Sequence, residues 1–437
     1  MAQATPPQLS CARSLLVLGT LLTISTLACG SRTAVLLGDP AADANPEQAG
    51  GDTGLPHITC APPAKQCVTR DATDPCARAR LVPATCDSST LTWTCPVGAW
   101  PYARAAELAG DCLPLYDASG PSGPSGPFRS VQGSLSRVPT DDGRCLWVAE
   151  SVQLASGQSL RNVAFELDPH TAFGTCPRSV AFSGGSARDS VVFSDGGADP
   201  TLLVQITGGY RIGGKTRVTY RLFRLDAGAV FGLAELGTGL GYWDATSQRI
   251  VVFGAERPRF ETDLDFGNAS WVEGNYAYLW GCNAPGHFLT EGCLLARLDA
   301  KDGLELFTGN NQWSANAEAS AGAIVFDDGP WISSVTRDFA DSTQLLHVFA
   351  GGFGDELRMQ RATQAQGPWT QAAALAPCSL PAGDSKAYCA GPIVHEELAD
   401  PMRPSELVVS YGRGTTGPAI DGRPEAYWSR IAWIARK

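Results

Sequence analysis

Arg217-Val218-Thr219-Tyr220-Arg221-Leu222-Phe223-Arg224-Leu225 opens with strict alternation of polar and apolar side chains. A period of two residues is the mark of a strand, because successive Cβ atoms point to opposite faces of a sheet. Related runs lie on both sides: Tyr276-Ala277-Tyr278-Leu279-Trp280 and residues 344–349, 406–411 and 427–434 are rich in aromatic and β-branched residues, which suit a pleated surface. Shorter runs, among them 145–149, 190–193, 202–206, 250–253, 293–298, 304–307, 323–326 and 331–335, bring the count to about seventeen between Phe128 and Lys437. Asp195-Gly196-Gly197, Gly213-Gly214, Asp327-Asp328-Gly329-Pro330 and Gly351-Gly352 separate them, as turns require. Helical periodicity is scarce, so the fold class is all-β.

So many short strands exceed what one sandwich usually holds, and radial repetition of small sheets buries them economically. Five four-stranded blades would take twenty strands, close to the count. The allotment, about 62 residues per blade, is longer than the ~40–45 of a WD repeat. No crisp sequence repeat is visible, and two stacked sandwiches fit the same pattern.

Upstream of Phe128 the composition changes three times. An apolar run from Ser14 to Ala28 follows Arg13 and ends in Thr26-Leu27-Ala28-Cys29-Gly30. It is shorter than the roughly 20 residues a spanning helix needs, and a basic start with a small residue before the cut is the export-signal pattern. The segment resembles a bacterial lipoprotein signal, although Thr26 stands where leucine is usual. The resemblance implies cleavage after residues 1–28, lipidation of Cys29 and a membrane anchor without a span, in the outer membrane or at the cell surface. Residues 29–57, small, polar and acidic, read as a flexible tether. Residues 58–118 form a cysteine-rich module, and Ser119-Gly120-Pro121-Ser122-Gly123-Pro124-Ser125-Gly126-Pro127 marks a boundary before a β-propeller domain at 128–437.

Setting aside the signal leaves 32 basic against 44 acidic residues, a balance that speaks against nucleic-acid partners. Of fourteen cysteines, Cys11 lies in the signal and Cys29 at the anchor, leaving an even number. In an exported chain that favours disulfides. Cys60, Cys67, Cys76, Cys86, Cys95 and Cys112 crowd into a stretch with little aliphatic periodicity, and their pairing is open. Local pairs are expected for Cys145 with Cys176, Cys282 with Cys293, and Cys378 with Cys389. No C-x-x-C occurs and the histidines are scattered, so neither a metal site nor a cofactor is expected. P-loop, H-E-x-x-H and Gly-x-Ser-x-Gly motifs are absent. Gly412-Arg413-Gly414-Thr415-Thr416-Gly417 matches a dinucleotide fingerprint, but Pro418 follows where a helix should, so it reads as a loop.

Phe266-Gly267-Asn268-Ala269-Ser270-Trp271-Val272-Glu273-Gly274-Asn275-Tyr276-Ala277-Tyr278-Leu279-Trp280-Gly281-Cys282, then Cys293 to Leu298, Trp313, Gly367-Pro368-Trp369, Tyr388 to Leu398 and Leu407 to Tyr411, occur in an order that resembles the bacterial domain of unknown function 4185. That resemblance spans about residues 180–415. It implies a five-bladed propeller related to furanosidase-type glycoside hydrolases, some of which cleave arabinan-type polysaccharides with early aspartates. Val191-Val192-Phe193-Ser194-Asp195-Gly196 is the nearest equivalent of the family's Phe-Gly-Asp-Thr segment. The candidate catalytic pair is therefore Asp195 with Asp168. Trp271, Trp313, Asp244 and Glu273 pair acids with sugar-stacking rings and are the candidate carbohydrate contacts. Ser194 and Gly196 depart from the motif, and turn or loop acids and core tryptophans explain the same residues. The expectation is accordingly a monomeric, membrane-anchored envelope lipoprotein whose propeller binds carbohydrate or an envelope partner. The alternative is a glycoside hydrolase acting on arabinan-like polysaccharide through paired carboxylates.

Overall fold

The computed structural model describes Cys60 and residues 65–436, except 106–110, 113–127, 155, 169, 171, 178–179, 184–187, 195–198, 229–231, 254–265, 283–291, 316–320, 327–331 and 418–426. The expected signal, Cys29, the tether and Asp195 lie outside the described residues.

The N-terminal segment contributes β1 (Gln66–Thr69), β2 (Arg80–Pro83), β3 (Thr85–Asp87), β4 (Thr92–Thr94), β5 (Trp100–Pro101) and β6 (Asp111–Cys112). Sheet 1 follows, from β7 (Phe128–Pro139), β8 (Cys145–Leu154), β9 (Ser159–Leu167) and β10 (Val180–Phe182). Sheet 2 holds β11 (Val191–Phe193), β12 (Leu202–Ile212), β13 (Lys215–Leu225), β14 (Leu233–Asp244) and β15 (Arg249–Val252). Sheet 3 is built from β16 (Phe266–Glu273), β17 (Tyr276–Gly281), β18 (Leu294–Leu298), β19 (Leu304–Gly309) and β20 (Gln312–Ser314). Sheet 4 comprises β21 (Ser334–Arg337), β22 (Leu345–Ala350), β23 (Glu356–Ala362) and β24 (Ala373–Pro377). Sheet 5 takes β25 (Ala387–Val394), β26 (Glu406–Thr415) and β27 (Arg430–Ala435), with β6 as its fourth strand. The alternating stretch at 217–225 lies within β13, paired on both sides.

Sheets 1, 3 and 4 are antiparallel meanders, whose neighbouring strands need only tight turns. Their edge strands pack in a fixed sequence: β7 on β12, β12 on β16, β16 on β21, β21 on β25, and β25 back on β7. We call these five the inner strands. The apolar faces follow the same cycle. Val138, Leu146 and Val148 of sheet 1 pack with Tyr220 and Leu222 of sheet 2, and Tyr210 and Ile212 of sheet 2 with Leu279 and Leu298 of sheet 3. Trp280 and Leu295 meet Val335 and Leu345, Leu346 and Val348 meet Val394 and Leu407, and Val408 and Ile431 return to Trp147 and Phe165. At about 1.5–3 kcal/mol for each large apolar side chain removed from water, these five layers are the main source of stability. Strand β6 pairs Cys112 with Ile431 and Asp111 with Ala432, so a piece of the N-terminal segment completes the last sheet.

That segment is fastened rather than free-standing. Cys60–Cys86 and Cys67–Cys95 close it internally, whereas Cys76–Cys145 and Cys112–Cys176 bind it to sheet 1 and the loop after β9. The expected Cys145–Cys176 pair is not formed. The N-terminal segment lies against both positions and brings Cys76 to a Cα separation of 4.9 Å from Cys145, and Cys112 to 6.0 Å from Cys176, the normal span of a disulfide. Cys282–Cys293 and Cys378–Cys389 are bonded as local pairs. A small core of Val68, Ala79 and Phe173, with Leu81, Trp100 and Tyr102 against it, joins the segment to the loop after β9.

Candidate functional site

Four of the five inner strands carry a bulge: one in β16, between Phe266 and Ala269, and three in strands that line one cavity. The ladder shifts between Gln132 and Leu135 in β7, between Ile206 and Gly208 in β12, and between Ala390 and Ile393 in β25. A bulge bends its strand and re-aims its side chains. Gly133 (φ +81°) permits the β7 bulge, and its missing side chain leaves room for Glu150 of β8, against whose carboxylate a Cβ there would clash. Glu150 thus reaches past the inner strand from the second strand of its sheet. The space it enters is a cavity of about 280 Å³ bounded also by Gln132, Gln205, Ile332, Tyr388 and Arg413.

Glu150 accepts a hydrogen bond from Gln205 Nε2 at 2.8 Å and one from the Ser134 backbone N–H. Burial nevertheless outweighs these donors and pushes its carboxyl above the ordinary range. Burial also raises the Tyr388 hydroxyl, with the Glu150 charge adding to the effect. The Tyr388 ring crosses the face of Gly414, where a Cβ would meet it at 2.6 Å, and stands edge-on to Phe353 with centroids 4.8 Å apart. Arg413 is held by the carbonyls of Trp428 and Ser379, each at 2.8 Å. Burial, with nearby Arg430, lowers its pKa to about 10. The pocket therefore combines a carboxyl that retains its proton above the usual carboxylate range, an oriented amide, a phenol and a fixed cation. Such a set can donate to and accept from a polyhydroxylated ring, and its acid can protonate a leaving oxygen.

Further along the same strands lies a second polar cluster. Arg137 of β7 reaches Glu397 at 3.3 Å and Glu396 at 3.5 Å, and Thr336 donates to Glu396 at 2.6 Å. Glu397 also accepts from Trp147 Nε1 at 2.6 Å and bonds His395 Nδ1 at 2.7 Å, while His395 Nε2 meets Ser410 Oγ at 2.7 Å. Ser410, His395 and Glu397 have the connectivity of a nucleophilic triad. All three are fully buried, so no substrate reaches the serine and the relay is structural.

Asp168, proposed as catalytic, is exposed and accepts from the His170 N–H at 2.8 Å. It follows β9, which runs away from the pocket, and it faces Arg70 of the N-terminal segment. The structure therefore excludes it from the pocket lining. None of the four candidate sugar contacts borders this pocket either. Asp244 closes the turn after β14 by accepting from Thr246 and Ser247, and Glu273 pairs with Arg337 at 2.7 Å. The Arg337 guanidinium lies 5.2 Å from the Trp271 ring centre. Trp313 sits on β20, the outermost strand of sheet 3, against Phe307 with Arg297 above it. Glu150 and Gln205 carry no motif in the sequence, and Tyr388 and Arg413 stand there only in a family motif and a glycine-rich loop. Their signal was Gly133, a glycine inside a strand, which marks a bulge or a close approach. Among the described residues no group of three or more His, Cys, Asp or Glu could hold a metal ion.

A family model described as "Domain of unknown function (DUF5005)" matches residues 181–421, more than half of the chain. It carries a different number from the domain whose motifs the sequence resembles. Among solved structures, a suspected hydrolase from Bacteroides ovatus aligns with TM-score 0.53 and 13% identity over 70% of this chain and 87% of that one, which shows a shared fold. An exo-β-1,3-galactanase from Phanerochaete chrysosporium, solved with β-1,3-galactotriose, aligns with TM-score 0.43 and 10% identity over 75% of this chain and 63% of that one. An α-L-arabinofuranosidase from Podospora anserina, solved with cellotriose, gives TM-score 0.39 and 10% identity over 75% of this chain and 96% of that one. No curated protein matches the chain in sequence.

Proposed function

We propose that this chain, which belongs to the DUF5005 family, is an exported five-bladed β-propeller that acts on polysaccharide as a glycoside hydrolase, with Glu150 as its general acid. One observation carries the reading: Glu150 is threaded past Gly133 into a central pocket where burial favours its protonated form, the state an acid catalyst needs. The cyclic packing of the five inner strands supports a closed propeller. Six disulfides that use twelve cysteines support an oxidising compartment, in keeping with export and lipidation at Cys29. The second acid proposed is Asp195, which follows β11.

A second reading has its own observation. Among the described residues that bound the pocket, Glu150 is the single carboxylate, whereas two-acid hydrolysis needs a pair about 5–5.5 Å or about 6.5–9.5 Å apart. This favours a propeller that holds sugar without cleaving it. The test is to incubate the purified mature chain with arabinan, arabinogalactan and cell-wall polysaccharide, scoring sugar release and retention, beside Glu150→Gln and Asp195→Asn. The hydrolase reading expects release that Glu150→Gln lowers by about 10²–10⁴-fold while the polymer is still retained. Retention without release, weakened by Glu150→Gln, selects the binding reading. Neither release nor retention overturns both, and release untouched by Glu150→Gln removes Glu150 from the chemistry.

A further inference from the structure

We infer that the pocket is blind and reads a single terminal sugar residue, because the N-terminal disulfide module plugs the far end of the inner strands. This rests on the reading of the pocket as a carbohydrate site. The plug is built from contacts to three inner-strand ends. Arg137, at the end of β7, donates to the Cys76 carbonyl at 3.4 Å. Arg211, at the end of β12, donates to the carbonyls of Ala72 and Thr73 at 3.4 and 3.3 Å. Beyond β25, Arg70 donates to the Glu397 carbonyl at 2.7 Å, and Arg104 clamps Asp400 at 2.5 Å and Glu406 at 3.0 Å. The Cys76–Cys145 bond fixes the plug at the start of β8.

Depth separates the plug from the pocket. Ser134, Ile332 and Gly391 border the cavity, and three to five residues later the same segments supply Arg137, Thr336 and Glu396. At no more than about 3.3 Å per residue the ionic cluster lies roughly 10–17 Å below. Arg137, Glu396 and Glu397 fill that level with mutually satisfied charges, which a sugar chain would have to break to pass. Ligand must enter and leave by one side. The cavity, about 280 Å³, sits at the lower bound of the ~300–1,000 Å³ typical of small-molecule sites. That volume holds one sugar ring with its substituents, so a chain end or a single-residue branch fits, and the interior of a chain does not.

The experiment compares linear debranched arabinan with the same mass of that polymer after partial acid hydrolysis, using the full mature chain. Protein retained, or sugar released, per unit mass should rise by the same factor as the number of chain ends, and any product should be monosaccharide alone. Retention or release that stays constant per unit mass, or a ladder of oligosaccharides, overturns the terminal-residue inference while leaving the pocket reading intact. Failure of both samples to retain protein or lose sugar overturns the inference together with the pocket reading.

Discussion

Glu397→Gln is expected to lower the stability of the chain by about 3 kcal/mol at neutral pH, more than any single surface change. The substitution keeps the shape of the side chain and removes its charge, leaving Glu396 as the one carboxylate in ion-pair contact with Arg137 among the described residues. Burial alone would raise the Glu397 pKa. His395 and Arg137 outweigh it and hold the carboxyl at about 2, below its ordinary 4.5. Removing one partner of a buried ion pair costs ~3–5 kcal/mol. The sign follows from linkage. A group whose folded pKa is depressed contributes fully above its unfolded pKa, and the contribution fades as pH falls from about 4.5 towards about 2. Urea denaturation of both proteins between pH 7 and pH 3 checks this: their difference should shrink with acid. A constant difference would mean that packing, not charge, is what Glu397 supplies.

Removing the Cys76–Cys145 bond by the double change Cys76→Ser and Cys145→Ser should cost about 4 kcal/mol on the chain-entropy estimate for its loop, which spans 69 residues. The effect should be local as well as global. Val68, Ala79 and Phe173 form too small a core to hold the N-terminal module unaided, so the module should become sensitive to protease before the sheets do. Limited proteolysis followed by mass spectrometry reads this directly. A variant as resistant as the parent, with an unchanged denaturation midpoint, would show that the Cys112–Cys176 bond and the arginine contacts suffice to seat the module.

The strands were legible because their signal is local. Residues 217–225 open in alternation, and they make up all but the first two residues of β13; about seventeen runs were visible where twenty-one strands lie between β7 and β27. The strands without a run of their own include β10 and β20, three residues long and too short for a period to register, and β7 and β14, twelve residues long but interrupted by glycine. Strand β6, only Asp111 and Cys112, has no pattern of its own and forms because β27 offers an edge. The disulfides divided along the same line. Cys282–Cys293 and Cys378–Cys389 are eleven residues apart, whereas Cys76–Cys145 and Cys112–Cys176 depend on where the module docks. The site was least legible. Asp168 and Asp244 looked functional as isolated acids, yet each turns back onto backbone N–H groups two residues on, the ordinary work of aspartate in a turn. Glu150 sits inside a strand and reaches the pocket only because a neighbouring glycine bulges, a relation between two strands that neither strand announces.

The central claim is a place: the pocket where Glu150, Gln205, Tyr388 and Arg413 meet. The most direct measurement is a crystal structure of the mature chain soaked with short arabino-oligosaccharides. One sugar ring is expected in that pocket, within hydrogen-bond distance of the Glu150 carboxyl and beside Tyr388. Sugar bound instead over Trp271 or Trp313, with the pocket empty, would contradict it.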